Sequence, residues 1–262
     1  MALSRRQRAR LVRIVTIAIP LVVLAAILAS ADWHAIQQAF FQWDVAKDLF
    51  PNIVVYGVKN TLILTFFAFT GGLAIGLVLA LLRLSSVTPY RWFATAYIEL
   101  FRGIPAIVTL IAVGFAIPIA LGARVPGMYG PAAVALAVVA GAYMAETIRA
   151  GLQAVPRGQV EAARSLGMTP TRTMVTIVIP QAFRIMIPPL TNELVLLVKD
   201  TSLVFVLGTT AQSVDLAKYG REAVAKTFNG TPITVVALLY LVITLPLTRL
   251  AAWLETRGGG HR

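Results

Sequence analysis

The chain has 262 residues, 58% of them hydrophobic and only 13% charged, with a mean hydropathy of +0.80; soluble domains carry roughly 25% charged residues, so a water-soluble globular fold is excluded. Its net charge of +12 by itself suggests nucleic acid, but basic residues also gather beside membrane spans on the cytoplasmic side, so their position decides. The absence of cysteine excludes a disulfide framework, a thiolate metal site and a cysteine nucleophile, and His34 and His261, distant from each other and outside the apolar runs, give no basis for a histidine metal or catalytic centre.

A bilayer core about 30 Å thick takes about 20 apolar residues of helix. Six stretches qualify, near 14–30, 57–82, 93–121, 131–148, 185–207 and 232–253. The first follows Arg5, Arg6, Arg8, Arg10 and Arg13 and ends at Ala29-Ser30-Ala31, so it reads either as a span or as a secretory signal with an A-x-A cleavage site. The other five spans keep one orientation in both cases. Residues 31–51, ADWHAIQQAFFQWDVAKDLFP, set Trp33, Phe40, Phe41 and Trp43 among polar residues, the pattern of a helix lying at the membrane–water interface. In the second span Gly72 and Gly76 form a G-x-x-x-G, which lets two transmembrane helices approach closely; generic small-residue packing gives the same pattern. Glu99 and Arg102 in the third span and Glu146 and Arg149 in the fourth are each three apart near cytoplasmic ends. They read as structural or gate ion pairs rather than substrate ligands.

Residues 149–184 connect the fourth and fifth spans. Pro156 suits the first turn of a helix through EAARSL, and Gly167 suits the left-handed position that ends it. Thr169 then caps a second helix that has Pro170 at its first position and runs through TRTMVTIVI to Pro180. Helix, glycine turn and helix with nearby arginines is also the form of a DNA-binding helix-turn-helix, but the segment is too short for the third helix and core of such a domain. An amphipathic hairpin on the membrane surface is the plainer alternative. The small side chains of Ala162 and Ala163 with Gly167, and the carboxylate of Glu161, favour a helix that docks into a partner's groove.

The fifth span, IMIPPLTNELVLLVKDTSLVFVLG, contains Glu193, Lys199 and Asp200, each costing roughly 2.5–3.5 kcal/mol at mid-membrane. Helical spacing puts Glu193 with Asp200 on one face and Asn192 with Lys199 beside it, so they line a path. Lys199 can meet an anionic group while Asp200 or Glu193 meets a cationic one; pairing with neighbouring helices is the structural alternative.

Basic residues orient the chain. Fifteen lie on the side of both termini and the long connection, including Arg83, Arg91, Arg157, Arg164, Arg172, Arg184, Arg249, Arg257 and Arg262. The other side has six, Lys47, Lys59, Arg124, Lys218, Arg221 and Lys226, which places the termini and residues 149–184 in the cytoplasm.

Glu161-Ala162-Ala163, Gly167, Ile177 and Pro180 together resemble the EAA loop of ABC-transporter permeases that work with a binding protein. Ile179 stands where that pattern usually has Leu, a conservative departure. The resemblance covers about residues 52–253 and is nearest to the polar amino-acid (histidine/glutamine-type) subfamily, through NTLILTFF, AYIELFRGIP, AETIRAGLQAVPRGQ, IPQAFR and KDTSL. Glu193 stands where relatives more often have an uncharged polar residue, and it is expected to favour substrates with an extra positive group.

The resemblance implies an all-α polytopic membrane protein of type I ABC importer permease architecture, with five family-like spans and one N-terminal span. Residues 1–56 form the basic N-terminus, first span and interfacial segment; 57–253 the permease domain with its coupling segment; and 254–262 a cytoplasmic tail. It implies a multi-pass subunit of the bacterial cytoplasmic membrane, an ATPase dimer using ATP and Mg, a second permease copy or paralogue, and an extracytoplasmic solute-binding protein. Glu161, Ala162, Ala163 and Gly167 would couple to the ATPase; no cofactor, metal or nucleic acid belongs to this chain. Consistently, no G-x-x-x-x-G-K-[ST] occurs, and Gly71, Gly72 and Gly76 lie in a span. An ion-gradient-driven secondary transporter is the alternative, although no inverted repeat is found, and neither H-E-x-x-H nor G-x-S-x-G supports a membrane enzyme.

Overall fold

The structure is a computed structural model that describes residues 5–122, 127–208 and 213–258, without the side chains of residues 7–12, 121 and 257–258. Arg124, His261 and Arg262 lie outside the described residues, as do the side chains of Arg8, Arg10 and Arg257.

All regular structure among the described residues is helical. The chain begins with α1 (Arg5–Ser30), α2 (Trp33–Phe40) and α3 (Trp43–Asp48). A π-helical turn over Ile53–Val58 leads into α4 (Lys59–Leu84), followed by α5 (Thr88–Gly103), α6 (Ala106–Ile111) and α7 (Ile117–Leu121). Then come α8 (Gly130–Gln153), α9 (Arg157–Ser165), α10 (Pro170–Thr173) and α11 (Ile179–Asp200), extended by a 3₁₀ segment over Thr201–Leu207. Helices α12 (Leu216–Thr227) and α13 (Thr231–Gly258) complete it.

Among the described residues four helices are long and apolar enough to cross a membrane: α1, α4 with its leading turn, α8 and α13. The expected span 93–121 is instead a bent pair, in which α5 meets the segment Ala106–Ala120 at 109°. Pro105 has no N–H to donate and holds Ile104 out of the helical region, at φ −93 and ψ 136. The expected span 185–207 is the second half of a longer helical run. From Pro170 the chain continues through a π-helical turn over Met174–Val178 into α11, so Pro180, in the first turn of α11, causes no break. Four charged residues, Arg184, Glu193, Lys199 and Asp200, keep α11 from being a plain apolar span. It packs against α8 and α13 instead.

The centre of the bundle is the α4–α8 pair. Leu64 and Ala68 of α4 and Ala135, Leu136, Ala140 and Met144 of α8 are buried together with Leu110 and Leu197. The G-x-x-x-G lies at this contact. A Cβ on Gly72 would come within 2.9 Å of Ala140 Cβ, and one on Gly76 within 2.8 Å of Met144 Cβ and 3.0 Å of the Ala145 nitrogen. The close approach is therefore within one chain. Gly76→Leu is expected to destabilise the fold by about 1–3 kcal/mol through overpacking. Thermal unfolding in detergent should show the drop, with Gly158→Ala, where nothing lies within 4 Å, as the neutral control.

Residues 31–51 form two short helices rather than one. Trp33, Phe40, Phe41 and Trp43 are all exposed, Trp43 by 77%, as an aromatic interface belt requires. Three hydrogen bonds pin them to the start of α13. The Gln42 N–H donates to Thr231 Oγ1 at 3.0 Å, Asn229 Nδ2 to the Gln38 carbonyl at 2.7 Å and the Gly230 N–H to the Ala39 carbonyl at 2.7 Å. By contrast, none of the Arg13–Ser30 stretch of α1 is buried.

Candidate functional site

Two regions carry chemistry. The first is the connection between α8 and α11. Pro156 sits just ahead of α9 rather than inside its first turn, and Gly167, at φ +81, ends the helix in the left-handed region. The Met168 N–H donates back to the Ala163 carbonyl at 3.1 Å and the Gly167 N–H to the Arg164 carbonyl at 3.0 Å, the bonding of a Schellman end. Thr169 caps α10, its Oγ1 accepting from the Arg172 N–H at 3.3 Å. Gly167→Ala should cost about 1 kcal/mol because a Cβ is strained at positive φ. Gly167→Asn should cost less, and thermal unfolding of the two variants side by side would check the order.

The EAA residues divide by burial. Ala163 is buried against the chain's own core, whereas Glu161 and Ala162 face outward. Leu166 is 84% exposed, an apolar side chain on the same surface that the composition of the motif did not single out. Beside α9 a groove of about 670 Å³ lies between Leu152, Val155, Arg157, Arg164 and Met174.

The second region is a cavity of about 470 Å³ among α5, α6, α8 and α11, lined by Arg102, Tyr143, Glu193, Leu196 and Asp200 and by the backbone break from Gly103 to Ala106. Its volume falls within the roughly 300–1,000 Å³ of small-molecule sites. Arg102 lies over the Tyr143 ring, 5.5 Å from its centroid, level with the middle of α8. Sequence spacing placed it near a cytoplasmic end; the Pro105 break instead makes the middle of the bundle the place where α5 stops. Irregular backbone at membrane depth is tolerated where it lines a cavity.

The expected Glu99–Arg102 pair does not form among the described residues. Arg102 turns to Tyr143, and Glu99 lines a separate groove with Arg83, Arg91 and Trp92. The expected Glu146–Arg149 pair forms, with Arg149 Nη2 donating to Glu146 Oε2 at 2.8 Å, and Arg149 Nη1 also reaches Gln153 Oε1 at 2.6 Å. Arg83, 63 residues before Glu146, bonds the other carboxylate oxygen and ties the end of α4 to α8. Lys199 also departs from expectation. Glu193 and Asp200 line the cavity, but Lys199 does not, and it is exposed on the neighbouring face of α11. Arg102 is the cation that lines the cavity with the two carboxylates. A cavity with one guanidinium and two carboxylates has the charges to hold a zwitterion by both ends.

Residues 72–258 match the family model described as binding-protein-dependent transport system inner membrane component. The chain is 38% identical to the probable glutamine ABC transporter permease of Bacillus subtilis over 80% of this chain and 95% of that protein. It is 34% identical to the arginine transport system permease of Bacillus subtilis over 78% and 91% of the two chains. Its fold superimposes on the crystal structure of an amino acid ABC transporter with histidines, with a TM-score of 0.74 and 36% identity over 82% of this chain and 98% of that one.

Proposed function

The chain belongs to the family of binding-protein-dependent transport system inner membrane components, and from that premise we propose that it is the permease subunit of an ATP-driven importer for polar amino acids. The central observation is the cavity inside the bundle that Arg102, Glu193 and Asp200 line together beside a broken helix. In this reading Arg102 takes the substrate carboxylate, and Glu193 and Asp200 take the α-ammonium and a second positive group. A net excess of one carboxylate favours cationic amino acids over acidic ones. Names of relatives that handle glutamine and arginine support the same substrate class.

Energy comes from a partner. ATP, with Mg, is hydrolysed by a dimer of ATPase subunits that engages Glu161, Ala162, Leu166 and the Gly167 turn from the cytoplasm. Closure of that dimer moves α9, and the continuous run from α10 to α11 carries the movement to Glu193 and Asp200. ATP shifts the inward–outward equilibrium only because one state of the complex holds it better. A second permease copy or paralogue covers the open face of α11, where Lys199 would otherwise meet lipid at roughly 2.5–3.5 kcal/mol. A solute-binding protein delivers substrate from outside, the termini lie in the cytoplasm of a bacterial cell, and nucleic acid has no part.

The test is affinity purification of the tagged chain from its native membrane, in a detergent that preserves membrane complexes, with mass spectrometry of the companions. An ABC ATPase in stoichiometric amount is expected. Purification without any ATPase would overturn the reading and favour a transporter driven by an ion gradient.

A further inference from the structure

On the side of the bundle assigned to the cell exterior, α12 is held by a buried polar cluster that transport as outlined above does not use. Asp215 is fully buried. Its Oδ2 caps α12, accepting from the Ala217 N–H at 2.9 Å and the Lys218 N–H at 3.2 Å, while Oδ1 has no hydrogen-bonding partner among the described residues. The hydroxyl of Tyr240, from α13, is also buried and unpartnered. It lies beside Asp215 and the hydroxyls of Thr61 and Thr201, both themselves fully buried.

Four elements therefore meet at one polar point: α4 through Thr61, the end of α11 through Thr201, α12 through Asp215 and α13 through Tyr240. The Leu216 N–H donates to Thr61 Oγ1 at 3.0 Å and Asn60 Nδ2 to the Val214 carbonyl at 2.9 Å, so the start of α12 is fixed to α4. Thr201 is the residue after Asp200. A second contact joins the same two parts, for Arg221 of α12 lies over the Phe205 ring, 4.2 Å from its centroid, in the 3₁₀ extension of α11.

We propose that Asp215 is a positioning residue that, with Tyr240 and the Arg221–Phe205 contact, fastens the exterior helix α12 to the cavity end of α11, so that displacement of α12 repositions Asp200. This rests on the reading of the cavity as the substrate site. A cap alone needs only Oδ2; it does not explain a second buried oxygen beside a buried phenol and two threonines. Burial pushes the Asp215 carboxyl up, against the lowering effect of its two backbone donors and the Lys218 charge, so the group is placed at a cost that a surface cap avoids.

The chain has no cysteine, so single reporters can be placed in the full-length protein in lipid nanodiscs. Leu196→Cys reports on the cavity, and Ala135→Cys, at a fully buried position of α8, reports on general loosening. Labelling by a methanethiosulfonate reagent is measured in each, alone and combined with Asp215→Asn, Tyr240→Phe or Arg221→Gln. Asp215→Asn keeps the cap oxygen and replaces the second acceptor with a donor. The expected result is a change of about fivefold or more in the Leu196→Cys rate, the low end of coupling between linked sites, with Ala135→Cys unreactive throughout. Unchanged Leu196→Cys labelling in all three variants would overturn the proposal, and so would reactivity at Ala135→Cys, which marks a purely structural role. The readout is independent of transport, so loss of the permease reading, seen as absence of a copurifying ATPase, is a separate result.

Discussion

Glu161→Arg is expected to abolish recovery of the ATPase with the tagged chain while leaving the chain folded in the membrane. Glu161 is exposed on α9, so replacing it disturbs no internal packing. In the docked state its carboxylate accepts a charge-assisted bond in a partner's groove, and a guanidinium there both removes that bond and opposes the cation that made it. Loss of a desolvated charge partner costs about 3 kcal/mol, or roughly 100-fold in affinity. Leu166→Ser tests the same surface through its apolar part, because a side chain 84% exposed in the isolated chain gains from burial only when a partner is present. Full ATPase recovery with both variants would remove α9 as the docking element. Recovery lost with Glu161→Gln as well as Glu161→Arg would assign the effect to the carboxylate rather than to the added positive charge.

The second large effect is expected at Glu193. Glu193→Gln preserves shape and removes one of the two carboxylates that line the cavity. Charge-assisted hydrogen bonds contribute about 1.5–3 kcal/mol, so uptake of arginine or lysine should fall by roughly 10- to 100-fold relative to glutamine in proteoliposomes containing the whole complex. Arg102→Gln should act differently and depress uptake of all amino acids together, since every one presents a carboxylate. An unchanged order of preference in Glu193→Gln would remove this residue from selectivity. Equal loss for cationic and neutral substrates would give it a structural part instead. Asp200→Asn, on the same helical face seven residues later, should lower uptake of neutral and cationic substrates alike if it holds the α-ammonium.

These expectations differ in how far the residues alone supported them. The turn between α9 and α10 was legible because its determinants are local: Gly167 for a positive φ, Thr169 for a cap and Pro170 for a first turn act within four or five residues of one another. The spans α4, α8 and α13 were legible because crossing a bilayer constrains length and polarity of a single segment. Glu146 with Arg149 was legible because residues three apart share a helix face.

Arg102 was not legible, because its role depends on where α5 stops. The same spacing rule that found Arg149 predicted a pair with Glu99, whereas the Pro105 break and the ring of Tyr143, 41 residues away in the sequence, draw the guanidinium into the cavity. Lys199 shows the converse. Its place on a stripe of α11 was correct, but which stripe faces the cavity is set by how α11 packs against α8 and α13. The G-x-x-x-G of α4 likewise named a close contact without naming its partner, which is α8 of the same chain.

The sequence by itself determined that this chain lies in a membrane, that α4, α8 and α13 are long and apolar enough to cross it, and that α9 ends at Gly167, since each follows from the transfer energy or backbone preference of contiguous residues. Only the tertiary structure decided that Arg102 shares a cavity with Glu193 and Asp200, that Lys199 stands outside it, and that the start of α12 is bonded to Thr61 of α4. Those meetings join residues far apart in the chain, and their geometry is fixed by the packing of several helices at once, which no local pattern encodes.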